Sequence, residues 1–116
     1  EPSLFSGYVL GSPSYWFDQH VMERMEQASA ATLKDMPAKV YFYIGEYEAK
    51  RVGDPRYLQD DDMVEDARRM ERTLRSRGYP SLVMRLDVLN DEDHLSIAPR
   101  GFTLGLRYLL PGKSAP

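Results

Sequence analysis

The stretch Asn90-Asp-Glu-Asp-His-Leu-Ser96 sets one of the chain's two histidines behind three carboxylates. An imidazole such as that of His94 can take up and return a proton near neutral pH. Two further carboxylates, Glu46 and Glu48, follow Gly45 directly after an apolar run. A carboxylate that accepts a hydrogen bond from an imidazole fixes its tautomer and stabilises the imidazolium, which is the orienter–base half of a nucleophilic triad. A third stretch, Gly11-Ser-Pro-Ser-Tyr-Trp16, offers two hydroxyls and aromatic surface. Each feature also has a plainer reading: a solvated acidic loop around His94, exposed loop acids at 46 and 48, and core aromatics at 15–17. Asp60-Asp-Asp62 reads as a helix cap with first-turn acids. Alternatively, His94, Asp91, Asp93 and an aspartate from 60–62 form an oxygen-rich donor set suited to calcium or manganese.

The elements that must position these residues are legible from periodicity. Strands are predicted over residues 4–10, 39–44 and 82–89, stopped respectively by Gly11-Ser-Pro-Ser14, Gly45 and Asn90. The second is almost continuously apolar, as in a parallel strand covered on both faces. A helix over 18–33 carries Val21, Met22, Met25, Ala28 and Leu33 as an apolar stripe. A second, over 63–77, aligns Met63, Val64, Ala67, Met70 and Leu74 ahead of Gly78. A third starts near residues 96–99 and runs through Phe102, Leu106 and Leu109 to Leu110. The order β-α-β-α-β-α, with crossovers long enough for helices, predicts one α/β unit of three parallel strands joined right-handedly. Ligands of open α/β sheets sit beyond the carboxyl ends of the strands. That topology brings the Ser/Pro/aromatic turn, the two glutamates and the histidine to one rim.

Composition narrows the function classes. The 116 residues amount to one domain, with ordinary apolar and charged fractions of 42% and 28%. A net charge of −3 with scattered Lys and Arg gives no phosphate-neutralising face, so no nucleic-acid partner is expected. No apolar stretch approaches the roughly 20 residues that cross a bilayer, so no membrane partner is expected either. The chain has no cysteine, which excludes disulfides and thiolate-ligated metals. A cytoplasmic location is the default expectation, with the periplasm as the alternative.

Taken together and in order, these segments resemble the C-terminal half of the α/β-hydrolase esterases that include siderophore esterases and esterase D-like enzymes. "LFSGYVLGSPSYWFD" (4–18) is similar to that family's strand and Ser-Pro-Ser-aromatic turn, and "VYFYIGEYE" (40–48) to the strand and Gly-x-x-Glu turn bearing its acid. "DMVEDARRMERTLRSRGYP" (62–80) resembles the next helix, and "EDHLSIAPRGFTLGLRYLL" (92–110) the histidine loop and closing helix. The resemblance implies a partial α/β-hydrolase sheet and a parent serine carboxylic ester hydrolase that needs no cofactor. It implies His94 as general base, Glu48 as acid with Glu46 as fallback, and Ser12, Ser14 and Trp16 along the cleft for a small-molecule ester. The chain departs from the family in one respect: the nucleophile motif Gly-x-Ser-x-Gly does not occur in it. The nucleophile elbow is therefore expected upstream of residue 1, and the chain alone is expected to be inactive. The partner expectation is the missing N-terminal half, or a second copy, paired along the edge of strand 4–10. The alternative reading is a non-catalytic α/β module that associates through that same edge.

Overall fold

The computed structural model describes residues 7–12, 17–57 and 60–110, with the side chains of 17–22 left aside. Over these residues the order is β1 (Gly7–Gly11), α1 (Phe17–Ala30), β2 (Ala38–Gly45), α2 (Met63–Ser76), β3 (Leu82–Leu89) and α3 (Ile97–Leu109). A single 3₁₀ turn, Glu46–Glu48, follows β2. The strands form one parallel sheet in the order β1-β2-β3. Their carboxyl ends line up: Gly11 pairs with Tyr43, and Gly45 with Leu89.

β2 is central, and both its faces are covered. Ala38, Val40 and Phe42 meet Ala67, Met70 and Leu74 of α2, together with Tyr79 and Met84. Tyr41 and Tyr43 face the other way, toward Leu89 and Ile97. The two-residue alternation of a strand thus splits the core into two layers. α2 follows its sequence pattern closely. Asp62 caps it by accepting the Glu65 N–H at 2.8 Å, and Gly78 follows with φ +67°, the left-handed conformation that ends helices.

α3 packs with its small residues. A Cβ on Gly101 would run into the Tyr43 ring, and one on Gly105 would lie 2.9 Å from Val9. The two glycines, one turn apart, let the helix backbone settle onto the aromatic face of β1 and β2. Phe102 and Leu110 of the same segment remain exposed.

Helix α1 departs from the expected pattern. It ends at Ala30 rather than Leu33, and Met25, assigned to its apolar stripe, is 57% exposed. Leu33 does pack against the α2-side core, from the segment beyond the helix. Val21 and Met22 lie outside the described side chains, as residues 4–6 of the first strand lie outside the described residues. Among the described residues no helix is long and apolar enough to cross a membrane.

Candidate active site

Glu48 occupies the last position of the 3₁₀ turn that leaves β2, and its side chain is fully buried. A buried carboxylate is costly unless donors surround it. Glu48 has three. Its Oε2 accepts the Gly45 N–H at 2.7 Å and the Ser12 hydroxyl at 2.7 Å. Its Oε1 lies 2.8 Å from Nδ1 of His94. An ionised carboxylate can only accept, so this contact requires the hydrogen on Nδ1 and leaves Nε2 as the basic nitrogen. The imidazole itself is half-exposed above the rim.

The loop that presents His94 is built by its own acids. Asp91 takes a left-handed φ of +63°, and its N–H donates to Glu46 Oε1 at 2.9 Å. The carboxylate of Asp93 accepts the N–H groups of Leu95 at 2.8 Å and Ser96 at 2.9 Å, and the Asp93 carbonyl accepts that of Ile97 at 3.1 Å. Ser96 Oγ donates to Glu92 at 2.7 Å, and Arg100 donates to the Asn90 carbonyl at 2.7 Å. The three carboxylates ahead of the histidine thus hold the turn and start α3. Tyr47 stitches this loop to the acid's turn. Its N–H donates to the Glu92 carbonyl at 3.0 Å and its hydroxyl to Asp91 at 2.9 Å. The hydrogen bond to Asp91 is the main reason the Tyr47 phenol is held above its ordinary pKa.

The two glutamates have separated tasks. Glu48 meets the imidazole, whereas Glu46, the fallback acid, ties down the Asp91 amide. Ser12, expected along the substrate cleft, gives its hydroxyl to Glu48. Ser14 and Trp16 lie outside the described residues. The metal reading is corrected: among the described residues no group of three His, Asp or Glu side chains is arranged to hold an ion. Asp93 is engaged in the turn, and Asp62 caps α2. Residue types alone did not reveal the part played by Ser12. Its signal is conformational, since a serine after Gly11 must adopt φ +43° for its hydroxyl to reach across the sheet end. Such a conformation costs a non-glycine residue about 1–3 kcal/mol and persists only where its surroundings enforce it.

With the sheet and rim described, the chain has a parallel α/β fold, and it shares that fold with solved hydrolases over the portion it spans. No family model matches the chain, and no curated protein matches it. Among solved structures it is similar to siderophore hydrolase EstA from Aspergillus nidulans, with a TM-score of 0.75 and 20% identity over 94% of this chain and 41% of that one. It is likewise similar to siderophore hydrolase EstB from Aspergillus nidulans, with a TM-score of 0.71 and 18% identity over 98% of this chain and 44% of that one. An IroE-like serine hydrolase from Shewanella oneidensis matches with a TM-score of 0.66 and 20% identity, over 91% of this chain and 32% of that one. The chain therefore spans less than half the length of these structures.

Proposed function

We propose that these 116 residues are the histidine- and acid-bearing part of a serine ester hydrolase. In this reading His94 is the general base and acid, and Glu48 orients it. The observation that carries the reading is the 2.8 Å contact between a half-exposed imidazole and a fully buried carboxylate from a different strand end. An acid sequestered among hydrogen-bond donors, with only its outer oxygen directed to an imidazole, is what orientation of a base requires. The siderophore hydrolases among the structural neighbours support carboxylic esters of siderophore type as the substrate class.

The attacking serine belongs to the remainder of the enzyme, outside these residues. Its hydroxyl proton passes to Nε2 of His94 as its oxygen bonds to the ester carbonyl carbon. The imidazolium, stabilised by Glu48, then protonates the departing alkoxide as the acyl-enzyme forms. Water attacks that acyl-enzyme with His94 again as base, releasing the acid and restoring the serine.

The test is hydrolysis of p-nitrophenyl acetate by the isolated chain and by the longer polypeptide containing it. The longer polypeptide should turn over the ester in a His94-dependent manner, and the isolated chain should not. Turnover by the isolated chain that vanishes in His94→Gln would overturn the assignment of the nucleophile to another segment.

A further inference from the structure

We infer that Ser12 is a positioning residue: its hydroxyl locks the Glu48 carboxylate so that one oxygen alone faces His94. This inference rests on Glu48 and His94 being orienter and base, and it adds a third strand end to their geometry. The carboxylate of Glu48 has two oxygens. Gly45 N–H and Ser12 Oγ–H both converge on Oε2, each at 2.7 Å. With two donors on one oxygen, the carboxylate plane is fixed and Oε1 is committed to Nδ1 of His94 at 2.8 Å. With Gly45 N–H alone, the group keeps a hinge about that single bond.

The chain is shaped to bring the hydroxyl there. Ser12 follows the last residue of β1 with φ +43°, and its own N–H donates to the Tyr43 carbonyl at 2.9 Å. This bond extends the pairing of β1 with β2 by one step while the left-handed turn swings the side chain over the end of β2. Gly11, just before it, has no room for a side chain, because a Cβ there would collide with the Tyr43 ring. A serine in a strained conformation, preceded by a residue restricted to glycine and aimed at a buried carboxylate, is a set of features that a solvent-facing turn does not require. The order of contacts is Ser12 to Glu48 to His94, so Ser12 acts through the acid and touches no reacting atom.

The readout is the tautomer of His94 in the ¹⁵N-labelled longer polypeptide that contains these residues, observed by imidazole ¹H–¹⁵N spectra above neutral pH and assigned with His94→Gln. The native chain should show an Nδ1–H tautomer with a downfield proton, and Glu48→Gln should lose that signal. Ser12→Gly, which relieves the backbone conformation, and Ser12→Ala, which does not, should both shift the Nδ1 proton upfield. Both should also populate the Nε2–H tautomer, while backbone amide spectra away from the rim stay unchanged. An Nδ1–H signal of native position in both serine variants, with Glu48→Gln altered, overturns the role of Ser12 and leaves the Glu48–His94 pair standing. A native chain without the Nδ1–H tautomer overturns the pair and the role of Ser12 with it.

Discussion

Gly45 governs how near the acid and the histidine loop can come. A Cβ at this position would lie 2.5 Å from the Glu92 carbonyl oxygen and 3.2 Å from Oε2 of Glu48. Both neighbours are fixed, one by the Tyr47 N–H and the other by its buried donors. Gly45→Ala must therefore push the loop bearing His94 away from Glu48. A displacement near 1 Å in a catalytic array costs on the order of 10²-fold in turnover. The expected outcome, read by steady-state ester hydrolysis with the full-length enzyme, is a fall in kcat of about that size with little change in KM. A kcat equal to the native value would show that the two turns are not in register. At this scale the sequence was partly legible. The residue types and strand ends point to an imidazole and a glutamate, and the family resemblance favours Glu48 over Glu46. Which carboxylate turns inward is decided by the 3₁₀ turn, which faces Glu48 into the rim and leaves Glu46 to the Asp91 amide. Ser12 was hidden for a related reason, because its partner lies 36 residues away and its reach depends on a single dihedral angle.

Elements were easier to read wherever one physical pattern acted alone. β3 spans residues 82–89 as its apolar run predicts, and β2 is longer than expected by one residue at each end. α2 begins at Met63 because Asp62 satisfies one of the open N–H groups of the first turn. Asp62→Ala should cost about 1 kcal/mol through loss of that cap, lowering the urea midpoint without changing the slope. An unchanged midpoint would show that the first turn is held by something other than Asp62. α1 and α3 were harder, since their packing depends on neighbours rather than on their own periodicity. The contact face of α3 includes Gly101 and Gly105, whose role is close approach and which no hydrophobic stripe can mark. α1 leaves Met25 exposed beside an apolar groove of about 630 Å³ that is also lined by Tyr8, Leu10 and Leu33.

For the whole molecule, the sheet order leaves β1 with a single described neighbour, β2. The groove beside α1 borders this strand, so the outer edge of the sheet, as far as the described residues form it, adjoins an apolar groove. An edge of this kind is a template for pairing with further strands. The solved structures it resembles extend well beyond the region they share with it. We therefore expect the isolated chain to associate along the β1 edge, either with the remainder of the proposed hydrolase or with a second copy. Light scattering at micromolar concentration checks this, and a stable monomer would count against it. The parallel α/β class was legible from the alternation of strands and helices, whereas the strand order emerges only from pairing across the sheet.

The central claim is that Glu48 and His94 work as one unit on a serine hydroxyl, and a double-mutant cycle in kcat tests it most directly. In the full-length enzyme, His94→Gln should lower kcat for ester hydrolysis by roughly 10³–10⁶-fold and Glu48→Gln by roughly 10²–10⁴-fold. The double variant should be scarcely slower than His94→Gln alone, because an orienter has nothing to act on once the base is gone. Losses that multiply, or a Glu48→Gln enzyme with native turnover, would contradict the account.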